Sequence, residues 1–229
     1  MDRGLYIAAS GMLAEQIRQD QIANDLANAS TPGYKADRTA QRSFGDILLS
    51  NSRSGDVVGP QGTAVQVDNI ETDFSPHAAR DTGEPLDFAI VGEGFFAVET
   101  AQGVRYTRNG QFALDPQGRL VTASGDAVLD ANGRAIQAAD GKVDPRRLGV
   151  VNLTNPRKEG DSMVSGTPAG AATGTVRSGA LESSGADPAR SMVDMIASMR
   201  AFEAGQKVIQ TIDETLGKAV NQVGSIAGT

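Results

Sequence analysis

The sequence predicts an α+β chain, with a long helix at each end and a central all-β domain of short strands. Three observations lead there. Apolar residues recur at threes and fours near both chain ends, and turn signals punctuate the middle about once every eight residues. Glycine is frequent, at 27 residues, while aromatic residues make up only 4% of the chain, which suits turn-rich β structure with modest cores.

In the first segment, Leu5, Ala8, Met12, Glu15, Gln19, Ile22 and Leu26 follow a 3,4,3,4 spacing and share one helical stripe, polar at its centre. Asn28, Ser30, Thr31, Pro32 and Gly33 then end the helix, because proline restricts its predecessor and short polar side chains compete for backbone bonds. Residues 1–35 thus read as an N-terminal helical segment and 36–80 as extended linker and the start of β structure. Within the latter, 50–62 ("SNSRSGDVVGPQG") has the composition of an extended or mobile linker.

Residues 81–163 read as the β domain. "LDFAIV" and "GFFAVET" are buried-strand runs, and Asn109-Gly110, 116–118, Gly125, Asn132-Gly133 and Asp140-Gly141 are turns, giving an up-and-down or sandwich arrangement. Residues 164–184 begin with sixteen positions of mostly small side chains, "VSGTPAGAATGTVRSG", expected as a second linker before a return strand. The last segment, 185–229, opens with Asp187 as helix cap and Pro188 in the first turn. From there Met192, Met195, Met199, Phe202, Ile209, Ile212, Leu216, Val220 and Val223 form a stripe interrupted at Gly205 and Gln206.

A helix of about 35 residues spans roughly 50 Å, too long to bury its seam on a small domain. It needs another long helix, and the N-terminal one is the candidate within the chain. The first stripe is shorter and more polar, so other subunits are expected to complete the packing. A simple intramolecular antiparallel helix pair is the plainer alternative.

Composition removes several function classes. A net charge of −7 and a pI near 4.8 give no basic footprint for nucleic acid. The chain has no cysteine and one histidine, His77, which leaves no disulfide, no thiolate metal site and little for His-based catalysis. His77 reads as a surface loop residue. No apolar window is long enough to span a membrane, and "MDRGLYIAASGMLAEQ" meets Glu15 before an apolar run of leader type, so cytosolic residence or export by a route that reads no cleavable leader is expected.

The local motifs carry little chemistry. "GEGFFA" (92–97) spells a dinucleotide loop but continues as a strand, where the fingerprint requires a helix; Gly92 and Gly94 read as a turn. Asp115, Asp126, Asp130, Asp140 and Asp144 recur at turns, and "DANGR" lacks the spacing of a calcium loop. Asn28-Ala29-Ser30 is a glycosylation sequon by spelling only. No nucleophile elbow, P-loop or H-E-x-x-H is present. No catalytic residue, metal or cofactor is implied.

Three stretches together resemble a known family. "ASGMLAEQIRQDQIANDLANASTPGYK" (9–35) is similar to the N-terminal signature of bacterial flagellar axial proteins, which include rod and hook subunits. "TGEPLDFAIVGEGFFAVETAQGVRYTRNGQFALDPQGRLVT" (82–122) resembles the β core of the rod and hook subgroup, and "SGALESSGADPARSMVDMIASMRAFEAGQKVIQTIDETLGKAV" (178–220) the C-terminal helix. Asp25, where many relatives carry asparagine, and Gly185-Ala186, in place of a common Asn-Val, are mild departures.

The resemblance implies a structural subunit, not an enzyme, exported by the flagellar type III apparatus and polymerising into the basal-body rod that crosses the periplasm. Its partners would be further copies of itself, neighbouring rod proteins and the export apparatus, with no nucleic acid, membrane insertion or cofactor. The tail is most similar to the proximal rod subgroup, with the distal rod as alternative. From a different class, a secreted β-domain enzyme or carbohydrate-binding module is the rival reading. The implied assembly interface comprises Leu5, Met12, Ile22 and Leu26 on the first helix and Met195, Met199, Phe202, Ile209, Ile212 and Leu216 on the second, with Asn24 and Asn28 fixing register through interhelical hydrogen bonds.

Overall fold

The structure, a computed structural model, describes residues 3–43, 46–50, 57–62, 64–138 and 141–226. Among the described residues, helix α1 (Arg3–Ala27) and helix α2 (Pro188–Ile226) flank fifteen strands in sequence order. The chain forms two compact units. One comprises Met1–Leu26, Arg38–Glu71 and Pro188–Thr229; the other comprises Ala27–Asp37 and Thr72–Asp187.

The helical unit holds both helices and the strands β1 (Asp37–Ser43), β2 (Asp46–Ser50), β3 (Val57–Gly62) and β4 (Val65–Thr72). β1 pairs with β4, and β2 pairs antiparallel with β3. Of the stretch 50–62, expected as an extended or mobile linker, Val57–Gly62 is extended and paired as a strand, while 51–56 lie outside the described residues. Ser10 of α1 donates to the carbonyl of Ile7 and accepts the amide of Val65, which fixes the start of β4 beside the helix.

The β-rich unit is built from β5 (Ala79–Asp81), β6 (Phe88–Val91), β7 (Phe95–Thr100), β8 (Gly103–Thr107), β9 (Ala113–Leu114), β10 (Leu120–Val121), β11 (Ala127–Val128), β12 (Val150–Gly160), β13 (Met163–Ala171), β14 (Thr175–Ser178) and β15 (Ala180–Glu182). Seven strands run in the order β12-β13-β8-β7-β11-β10-β9, and β12 pairs again with β7 through Val150–Phe96 and Val151–Phe95. That second pairing closes β12, β13, β8 and β7 into a ring, which leaves these strands no open edge between them. β14 pairs with β6 and β15 with β5, both antiparallel.

β7 explains the unbroken apolar run "FFAV". Phe96 and Val98 join one core with Phe88, Ile90, Phe112 and Leu120, while Phe95 and Ala97 join a second with Tyr106, Leu129 and Val164. Successive side chains of a strand point to opposite faces, so a strand between two cores is apolar throughout. Phe96 meets Phe112 edge-on at 5.4 Å between centroids, the geometry that ring quadrupoles favour.

The stretch 164–179 is not the linker its composition suggested. It forms β13, which pairs with β12 and β8, and β14, which pairs with β6. Small residues here serve close approach: a Cβ on Gly166 would sit 3.2 Å from the Cβ of Leu153 on the neighbouring strand. Composition alone reads such a strand as a flexible connection.

Candidate assembly surface

α2 begins at Pro188, the first-turn position where a missing N–H costs no helical bond. From Met195 to Asn221 the less exposed positions along it are Met195, Ser198, Phe202, Gly205, Ile209, Ile212 and Leu216. They alternate strictly by four and three, the spacing of a seam that one helix offers another. Ser198, 1% exposed, donates to Glu15 Oε2 at 2.6 Å. Met12 lies against Gly205, where an added Cβ would come within 2.6 Å of Met12 Cγ, and Ile212 Cδ1 is 3.5 Å from the corresponding point on Gly4. Positions rise along α1 as they fall along α2, so the two helices touch in antiparallel order.

The residues expected at an interface fall in three places. Met195, Phe202, Ile209, Ile212 and Leu216 lie half-buried on this seam, and on α1 Leu5, Met12 and Leu26 are half-buried and Ile22 buried. Met199 lies on another face and is 50% exposed; around it Met192, Val193 and Ile196 are also more than half exposed. Asn24 is exposed on α1, whereas Asn28 lies beyond the helix end and accepts hydrogen bonds from Thr31 Oγ1 on its side chain and from Ser184 Oγ on its carbonyl. Asp25 is buried. Val220 is exposed, and the side chain of Val223 lies outside the described residues.

Ser198 and Gly205 are seam residues that a search for apolar side chains passes over. Gly205, expected to interrupt the stripe, is a position where any side chain would crowd Met12 of α1. The signal that finds both is the strict alternation of spacing from Met195 to Leu216.

The β-rich unit carries a second cluster, where the connector after α1 docks. Glu182 on β15 is 1% exposed and accepts Lys35 Nζ at 2.6 Å, Arg108 Nη1 at 3.1 Å and the amide of His77 at 2.9 Å. Lys35 also donates to the carbonyl of Ser75, and Arg108 Nη2 donates to that of Gly92. Burial pushes the Lys35 ammonium below its usual value, opposed by the attraction of Glu182. Gly33, at φ +66°, lies so close to the Arg108 peptide that a Cβ would fall 2.4 Å from its carbonyl oxygen. The connector thus belongs to the β-rich unit, and its lysine and glycine are read there.

Asp115 and Asp130 are engaged by their own turns, while Asp140 lies outside the described residues. Asp115 accepts the amides of Gln117 and Arg119, and Asp130 those of Asn132 and Arg134. The Arg134 amide bond, against some desolvation, holds the Asp130 carboxyl below the usual carboxylate range. Among the described residues no group of three or more His, Cys, Asp or Glu is placed to hold a metal, and no helix is long and apolar enough to cross a membrane. In "GEGFFA", Gly92 and Gly94 have positive φ and turn β6 into β7, so no helix end faces a phosphate.

Comparison with known proteins decides the family. The model "Flagella basal body rod protein" matches residues 5–35, "Flagellar hook protein FlgE/F/G D1 domain" matches 89–155 and "Flagellar basal body rod FlgEFG protein C-terminal" matches 177–223. The basal-body rod protein FlgG of Bacillus subtilis is 34% identical over 96% of this chain and 99% of its own length. The chain belongs to the flagellar basal-body rod protein family. FlgF of Escherichia coli is 33% identical over 99% of this chain and 100% of its own length, and FlhO of Bacillus subtilis, a hook-basal body complex protein, is 28% identical over 99% and 100%. The molecule is a structural subunit of the flagellar basal body, not an enzyme, and assembles with other rod components. The matched segments at the two ends of this rod subunit take in α1 with its connector, and β15 with most of α2.

Proposed function

We propose that this rod subunit is of the proximal, FlgF-like type and polymerises through its terminal helices into the drive shaft, after export by the flagellar type III apparatus. The observation that carries self-assembly is the second apolar face of α2. Met192, Val193, Ile196 and Met199 point away from the seam that meets α1, and an exposed apolar face of this size is a surface for association. Antiparallel contacts between α1 and α2 support a coiled-coil-like stalk within one subunit, with Asn24 and Met199 turned to neighbouring copies. The proximal assignment is supported by the tail "RAFEAGQKVIQTIDETLGKAVNQVG" and by the end-to-end match to a FlgF protein; the distal, FlgG-like alternative is supported by an equally close match.

Two experiments test this reading. Expression in strains lacking either FlgF or FlgG should restore motility in the first; rescue of only the second assigns the distal position. Phe202→Asp should abolish rod formation while the β-rich unit stays folded, and a motile Phe202→Asp strain would refute assembly through the helices.

A further inference from the structure

We propose that Lys35, Arg108 and Glu182 form a conformational clasp, which holds the first and last segments of the β-rich unit, 28–37 and 180–187, against each other without adding net stability. Two cations and one carboxylate, each no more than 3% exposed, are gathered at one point. Removing such charges from water costs about as much as their attraction returns, so apolar side chains of similar volume would serve stability as well. Charge-assisted hydrogen bonds differ from apolar contacts in being directional.

The geometry uses that property. Glu182 Oε1 takes both Lys35 from the connector and the His77 amide, and Oε2 takes Arg108, so one carboxylate fixes three distant stretches of chain. Around it the two end segments exchange backbone bonds: the Gly33 amide donates to the Glu182 carbonyl at 3.0 Å and the Gly185 amide to the Tyr34 carbonyl at 2.9 Å. Ser184 Oγ donates to the Asn28 carbonyl at 2.8 Å. Lys158 donates to Asp37 Oδ2 at 2.9 Å and lies 4.1 Å from the centroid of the Tyr34 ring. The last residue of α1 and the first of α2 adjoin these two segments in sequence.

Amide hydrogen exchange on the full-length chain, followed by NMR, separates positioning from stabilisation. Lys35→Met leaves Glu182 paired with Arg108 and should lower protection at the Gly33 and Gly185 amides at least tenfold, while amides of β7 and β8 stay within about twofold of wild type. The triple variant Lys35→Met, Arg108→Met, Glu182→Met should show the same selective loss without a lower urea midpoint. Unchanged protection at Gly33 and Gly185 overturns the proposal. So does an equal loss across the whole unit, which would make the cluster a stability element.

Discussion

Glu182→Gln is the most demanding perturbation of the buried cluster. The substitution keeps the volume and one acceptor oxygen but removes the carboxylate that pairs with both Lys35 and Arg108. In its place stands an amide whose N–H₂ group must face an ammonium or a guanidinium, both at most 3% exposed. Two cations in a dry site stripped of the carboxylate they share correspond to a loss of about 3–5 kcal/mol, the cost of breaking a buried pair from one side. For a unit of this size that is a fall in midpoint of roughly 10–15 °C. Urea unfolding followed by the fluorescence of Tyr34 and Tyr106, both buried in this unit, reads the loss in free energy. The slope with urea should be unchanged, because the exposed area on unfolding is the same. A Glu182→Gln protein within about 1 kcal/mol of wild type would refute the electrostatic account, since the two cations would then be tolerating each other in the absence of the carboxylate.

Three further outcomes are expected. Gly33→Ala should destabilise the β-rich unit by about 2–4 kcal/mol in urea, because alanine is strained at φ +66° and its Cβ would press on the Arg108 peptide. Gly217→Ala, where a Cβ meets open space, should raise the helical melting transition by roughly 1 kcal/mol, whereas Gly205→Ala should forfeit that gain against Met12; equal gains at both sites would place Gly205 off the seam. Lys35 gives a pH signature: its native value lies below the unfolded 10.5, so unfolding takes up a proton between the two. The urea stability of wild type relative to Lys35→Met should therefore rise with pH through that window and flatten above it.

Much of this molecule is legible in its sequence, and the parts that are not fail for identifiable reasons. The α1 stripe from Leu5 to Leu26 and the start of α2 at Pro188 follow from spacing and proline chemistry, both local properties of the chain. β7 follows from its apolar run, although only tertiary structure reveals that Phe95 and Phe96 serve different cores. The strand at 163–171 is hidden because small residues are read as flexible, whereas close pairing with Leu153 requires them. The clasp is hidden for a different reason. Lys35 and Glu182 are 147 positions apart, and no periodicity links a lysine after a proline-glycine turn to a glutamate ending a short strand. "STPGYK", which by composition only terminates a helix, lies inside the β-rich unit: Ser30 to Pro32 follow the end of α1 at Ala27, Gly33 permits contact with Arg108, and Lys35 anchors to Glu182. A stop signal and a docking motif thus share six residues, and the second role becomes visible only when the distant partner is in place.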